Sequence, residues 1–223
     1  MEKDFAATAN LIAEPTRAVM LLKLLNGKAL PAGELAAAVN VSAQTASEHL
    51  TKLLHADFLK VETQGRHRYY SLAGTEVADV LEAMLVLLPA VREVRKPGSN
   101  PVVGTLPYAR TCYSHLAGWL GVQITDRLQS EVFIRAKPDK RFVITEGGRS
   151  WFTSLGVNLS NDCGRQCLDW TERRPHLAGP LGVAFYRRLL ELGWLTHIKG
   201  DRKIRVTLRG KRELWNLLRV PLS

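Results

Sequence analysis

Val41-Ser42-Ala43-Gln44-Thr45-Ala46-Ser47-Glu48-His49-Leu50-Thr51-Lys52-Leu53 places a small polar residue ahead of a run in which Ala46, Leu50 and Leu53 return at four- and three-residue steps. This predicts a helix from Ser42, its N-cap, to about Ala56, with the apolar positions facing a core. Gln44, Thr45, Ser47, Glu48, His49, Thr51 and Lys52 are then partly or wholly outward. Upstream, Asn40-Val41 is a tight break, and Pro31 opens a short helix expected to bury Leu35, Ala38 and Val39. Pro15 suits the first turn of another helix, with Ala18, Leu21, Leu22 and Leu25 at helical spacing, after a segment carrying Phe5, Ala9 and Ile12. Downstream, Phe58-Leu59-Lys60-Val61 turns to β-favouring residues, Gln64-Gly65-Arg66 is a hairpin tip, and His67-Arg68-Tyr69-Tyr70 returns as a second strand. An amphipathic helix from Glu76 to about Val91 closes this part.

Helices, a short break, a helix and then a hairpin make the order of a winged helix-turn-helix, in which the second helix of the pair can enter a major groove. The outward chemistry suits that role. Gln pairs with adenine, hydroxyls donate or accept, and Lys neutralises phosphate, which marks Ser42, Gln44, Thr45, Ser47, His49 and Lys52. Arg66, His67 and Arg68 lie where a wing grips the backbone or minor groove. The competing reading is a polar helix face and exposed turn on a protein-contact module.

The whole chain is 223 residues, 46% hydrophobic and 23% charged, the balance of a globular protein. Lys96-Pro97-Gly98-Ser99-Asn100-Pro101 is its clearest break. It divides a helix-turn-helix and dimerisation domain, 1–96, from a linker, 97–104, and a C-terminal domain, 105–223. Lys and Arg number 11 in 1–96, matched by 11 Asp and Glu, but 20 against 10 thereafter, so the formal charge of +10 lies wholly in the C-terminal part. Such an excess favours a polyanionic partner or a solvated basic face. The longest nearly apolar stretch, Ala83 to Val91, is too short for a bilayer and contains Pro89, so no membrane association is expected. The charged start lacks the apolar core of a secretion signal, and three cysteines suit a reducing compartment, so a cytoplasmic protein is expected.

The pattern Leu53-Leu54, Phe58-Leu59, Tyr70 to Gly74 has two later echoes, Arg127-Leu128, Phe133-Ile134, Ile144 to Gly148, and Leu189-Leu190, Trp194-Leu195, Val206 to Gly210. Each reads as helix, hairpin, then a small polar residue and glycine opening another helix. The expected fold is therefore mainly α with short hairpins (α+β), its C-terminal region holding two further winged-helix-like units. The five tryptophans are expected in the core. The last hairpin, Lys199-Gly200-Asp201-Arg202-Lys203-Ile204-Arg205, with Arg187 and Arg188 nearby, reads as a basic wing or a solvated face.

Cys112, His115, Cys163, Cys167 and His176 gather the sulfurs and two of the six histidines into two segments. Cys163 and Cys167 share a face if their segment is helical. With Cys112, His115 or His176 they make a soft site for a thiophilic metal ion, or a redox pair beside Arg165 and Arg173; the plainer reading is a buried Cys112 and two unconnected thiols. Glu172-Arg173-Arg174-Pro175-His176 reads as an anion site at the next helix or as ion pairing within the domain. No Gly-x-Ser-x-Gly, no phosphate-binding Gly-rich loop with Lys and no His-Glu-x-x-His occurs, so no enzymatic activity is expected.

Val41 to Leu53, followed by Gly65-Arg66-His67-Arg68-Tyr69-Tyr70-Ser71-Leu72, resembles the recognition helix and wing of the ArsR-type (arsenic-repressor-like) bacterial regulators over roughly residues 5–92. The resemblance implies a homodimeric repressor on double-stranded DNA, its first and last helices forming the dimer contact. Gln44, Thr45, Ser47 and His49 then fall where relatives read DNA, and Arg66 and Arg68 where the wing grips it. The chain departs from the family's familiar metal sites. Glu34-Leu35-Ala36-Ala37-Ala38 lacks the paired thiols, and the helix with Asp79 and Glu82 lacks histidine. The expectation is a sequence-specific regulator responding to a small-molecule or metal effector. Its alternatives are a thiol or metal sensor switching through Cys163 and Cys167, and an effector-free nucleoid-associated binder.

Overall fold

A computed structural model of the chain describes residues 2–85, 87–88, 101–159 and 163–222. The chain divides into two compact units, Met1–Leu81 and Glu82–Ser223. The expected break at Lys96–Asn100 and the helix tail at Val86 and Pro89–Val91 lie outside the described residues.

In the first unit α1 (Glu2–Ala13) leads into α2 (Pro15–Leu24), which has proline in its first turn and Glu14 as cap, accepting from the N–H groups of Thr16 and Arg17 at 3.1 and 2.9 Å. β1 (Leu30–Pro31) and α3 (Ala32–Val39) follow. Asn40 ends α3 in the left-handed region, φ 54°, which turns the chain sharply into α4 (Ala43–His55). Ser42 caps α4 by accepting from the Thr45 N–H at 3.1 Å. β2 (Leu59–Gln64) and β3 (His67–Leu72) form the hairpin, joined by the two-residue turn Gly65-Arg66 with φ +58° at Gly65. β1 pairs with β3 to complete a three-stranded sheet, and α5 (Thr75–Leu85) follows, its residues from Glu82 on belonging to the second unit. Met20, Leu21, Leu24, Leu35, Ala46, Leu50, Leu53, Tyr70 and Leu72 form the core.

Sequence periodicity misplaces several side chains here. α3 buries Leu35 and Ala36 rather than Leu35, Ala38 and Val39, because a short helix wedged between α2 and α4 buries the edge facing both. Phe5 and Leu22 are exposed. The last helix is described only to Leu85, not to Val91, with Leu87 and Leu88 outside it; a residue preceding proline, as Leu88 does, is pushed out of the helical region.

The second unit repeats one order of elements. A short hairpin, β4 (Arg110–Cys112) and β5 (His115–Ala117), precedes α6 (Gly118–Ser130), then the hairpin β6 (Ile134–Ala136) and β7 (Arg141–Ile144), then α7 (Glu146–Ser154). The order returns as β8 (Gly164–Leu168), β9 (Pro175–Ala178), α8 (Gly179–Glu191), β10 (Leu195–His197), β11 (Ile204–Val206) and α9 (Leu208–Leu218). The match reaches single atoms. Thr145 and Thr207 each cap the helix after their hairpin, accepting from the N–H of Gly148 or Gly210 at 2.9 Å. Those glycines leave no room for a Cβ, which would sit 1.9 Å from the Phe133 carbonyl or 2.1 Å from that of Trp194.

The two copies exchange strands. β7 pairs with β8, giving the sheet β6-β7-β8-β9, made from the second hairpin of one copy and the first hairpin of the other. Reciprocally, a bridge from Arg110 to Lys203, with Thr111 N–H to Arg202 O and Ile204 N–H to Ala109 O both at 2.9 Å, sets β4-β5 beside β10-β11. Leu120, Leu128, Phe142, Phe152, Leu181, Leu189 and Leu214 fill the core around them. Trp119 and Trp194 are buried as expected, but Trp151 and Trp170 are half-buried and Trp215 is 50% exposed. None of the described helices is long and apolar enough to cross a membrane.

Candidate nucleic-acid interface and a buried Cys-His cluster

α4 separates its two faces. Ala46, Leu50 and Leu53 are buried, whereas Ser42, Gln44, Ser47, Glu48, Thr51 and Lys52 are exposed. Thr45 is half-buried, its hydroxyl 2.9 Å from that of Ser42. At the hairpin tip Arg66, His67 and Arg68 are exposed, with the Arg68 guanidinium 5.6 Å from the centre of the Tyr70 ring. The first unit thus presents a helix of amides, hydroxyls and one ammonium, and a basic turn, on rigid elements.

His49 departs from the sequence expectation of an outward base reader. Its Nδ1 lies 3.3 Å from Glu14 Oε2 and 3.4 Å from Arg17 Nη1, and its side chain is 16% exposed. Arg17 also donates to the carbonyls of Leu11 and Asn10 at 2.7 and 2.9 Å. Burial tends to raise the Glu14 carboxyl, but the N–H groups of Arg17 and Thr16 and the neighbouring His49 hold it below the usual range. His49 fastens α4 to the start of α2; no sequence signal joins it to a partner 35 residues earlier.

In the second unit, the structure gathers four of the five predicted sulfur and imidazole residues. The ligand atoms of Cys112, His115, Cys167 and His176 all lie within 4.8 Å of one another. The two Sγ atoms are 3.8 Å apart and the two Nε2 atoms 3.0 Å. Cys112 faces His115 across β4-β5, and Cys167 faces His176 across β8-β9. Cys163 is not among them. It is exposed just before β8, and its segment is strand rather than helix, so about 13 Å of extended chain carries Cys167 away from it. The expected Cys163–Cys167 pair is corrected to Cys112–Cys167.

The contact between the two sulfurs, with burial, pushes the Cys112 thiol well up, and the same contact, together with the His115 and His176 imidazoles, holds the Cys167 thiol far below its ordinary value. Around them the charges pair. Asp169, fully buried, accepts from Arg110 at 2.8 Å, from Gly118 N–H at 2.7 Å and from the Thr171 hydroxyl at 2.7 Å. Burial would raise its carboxyl, but Arg110 beside it, then His176, hold it far below the usual carboxylate range. Arg110 also stacks on Trp170, 4.5 Å from the ring centre. Glu82, the first residue of this unit, pairs with Arg202; burial pushes its carboxyl up against the pull of that arginine.

The basic wing is partly spoken for. Arg202 turns inward, donating to the Thr111 carbonyl as well as to Glu82, and Lys203 pairs with Asp201 at 2.9 Å. Arg188 donates to Leu155 O at 2.8 Å and pairs with Glu191. Of the acid-base run before α8, Arg174 pairs with Asp126 at 2.6 Å.

Among known proteins, the helix-turn-helix domain family matches residues 12–62. The uncharacterised HTH-type transcriptional regulator YdfF of Bacillus subtilis is 40% identical over 217 residues, 95% of each chain. The transcriptional repressor SdpR of the same organism is 36% identical over 74 residues, 33% of this chain and 81% of its own. A solved structure of the homodimeric winged helix-turn-helix DNA-binding domain of Mb0332 from Mycobacterium bovis, a possible ArsR-family regulator, covers 44% of this chain and 89% of that one, at 23% identity and TM-score 0.39.

Proposed function

The chain belongs to the ArsR-type helix-turn-helix transcriptional regulators, and from that premise we propose that it is a cytoplasmic homodimeric repressor that reads operator DNA with α4 and grips the backbone with the β2-β3 wing. The observation that carries the reading is the division of α4. Gln44, Ser47, Thr51 and Lys52 are exposed while Ala46, Leu50 and Leu53 anchor the helix, beside a turn bearing Arg66, His67 and Arg68. Repression follows the likeness to SdpR over the helix-turn-helix part. Dimerisation accounts for apolar side chains left uncovered: Phe5 on α1 is 76% exposed and Val80 on α5 50%. Any effector acts by population shift, favouring the dimer that cannot hold DNA.

Selection of duplexes from a random pool by the full chain, then binding of the winner and of a scrambled duplex at matched salt, tests this. A specific duplex held at least about a thousandfold more tightly supports a regulator. Equal affinity identifies the effector-free, nucleoid-type binder, and no binding at low salt overturns the reading. Sedimentation of the full chain as a monomer at micromolar concentration rejects the homodimer.

A further inference from the structure

The geometry points to a tetrahedral divalent-metal site in the C-terminal unit, a zinc-type ion held by Cys112, His115, Cys167 and His176. It is independent of the DNA-binding reading and uses none of the residues at the two family metal positions considered above.

Geometry carries the assignment. Zinc binds thiolate at about 2.3 Å and imidazole at about 2.0–2.1 Å, so a regular tetrahedron sets its two sulfurs about 3.8 Å apart and its two nitrogens about 3.4 Å. The sulfurs here stand at 3.8 Å and the nitrogens at 3.0 Å, and all four atoms fall within 4.8 Å. The two like-atom separations thus nearly match a tetrahedron, and the sulfur–nitrogen separations, which a tetrahedron sets at about 3.6 Å, close by at most about an ångström when the ligands draw in on an ion. A tetrahedral pair of thiolates and pair of imidazoles is the donor set of zinc rather than of magnesium, calcium or manganese.

Orientation supports it. Among the described residues the buried Nδ1 of His176 has no hydrogen-bond partner; it faces the Asp169 carboxylate at 3.8 Å, an arrangement that favours the ring proton on Nδ1 and leaves Nε2 to serve as a ligand. Asp169 is itself fixed by Arg110 and the Gly118 N–H. Charge supports it too. Two thiolates and a divalent ion sum to zero, which suits a buried place whose neighbours, Arg110 with Asp169 and Arg202 with Glu82, already cancel.

The site also follows the repeat. Each copy supplies one cross-strand Cys–His pair, at the same place in its first hairpin. With all four positions taken by protein, no coordination place is left for a substrate, as in structural rather than catalytic zinc. The ion therefore clasps the two copies together.

The full chain, purified without chelator, is analysed for metals, then stripped and titrated with Co²⁺. One zinc per chain and intense visible bands of tetrahedral cobalt, with a thiolate-to-metal absorption that Zn²⁺ displaces, are expected. Cys163→Ser leaves these unchanged, whereas Cys112→Ser and Cys167→Ser each weaken Co²⁺ binding at least tenfold and reduce the thiolate absorption. No retained metal together with the weak spectrum of octahedral cobalt overturns the proposal, as does a Cys112–Cys167 disulfide in protein prepared under reducing conditions. Should the ligand variants fail to fold, the parent and Cys163→Ser spectra decide it alone, since loss of the signal in Cys163→Ser is also fatal. DNA binding by the parent chain, measured alongside, fails or survives on its own terms.

Discussion

Two exposed side chains of the first unit separate positioning from reading. Arg66 sits at the hairpin tip, where a guanidinium meets phosphate whatever the base. Arg66→Ala should weaken binding to every duplex and lower the slope of log affinity against log salt by about one; a change confined to one sequence would show the wing reading bases. Gln44, outward on the first turn of α4, should behave oppositely. Gln44→Ala should relax preference at a single base pair, costing about 1–3 kcal/mol against the best site and little against others, as seen in a repeated selection. His49 marks where single residues stopped being legible. Helical spacing puts it at the border of the apolar stripe, and what pulls it inward is a carboxylate on another helix. Spacing along one helix carries no information about that partner.

At the scale of elements, the recurring helix, hairpin and glycine were plain in the sequence because two caps and two close-packed glycines recur with them. The hairpins β4-β5 and β8-β9 were not. Arg110-Thr111-Cys112 and His115-Leu116-Ala117 are buried at every position, so they lack the alternation that betrays a strand with one wet face. Their Arg, Cys and His read as chemistry rather than as sheet. The repeat also exposes a local flaw. Val132 holds φ 58° before its hairpin, where the other copy has Gly193 at φ 68°. A β-branched residue pays about 1–2 kcal/mol there, part of which glycine returns as unfolded-chain entropy. Val132→Gly should therefore stabilise the protein by about 0.5–1 kcal/mol, and Gly193→Val should destabilise it by about 1–3 kcal/mol. Thermal melts of both variants check this; shifts in the same direction would refute the equivalence of the two positions.

For the molecule as a whole, composition located the positive charge but not its availability. The excess of ten lies after residue 96, yet Arg110, Arg174, Arg188 and Arg202 are each paired with a carboxylate. The sulfur chemistry behaved likewise. Neighbours in sequence, Cys163 and Cys167, part company, while Cys112 and Cys167, 55 residues apart, come together. Folding topology, not proximity along the chain, chose the pair. A buried ion pair such as Arg110–Asp169 is costly to halve, so Asp169→Ala should lower stability by about 3–5 kcal/mol, read as a loss of denaturation midpoint.

The pairing of β7 with β8 means that neither half owns the four-stranded sheet. Residues 101–159 made alone would keep their helices' greasy faces but forfeit the strand that seals β7, leaving an adhesive rim in search of a twin. Such a fragment should self-associate in sedimentation rather than stay single.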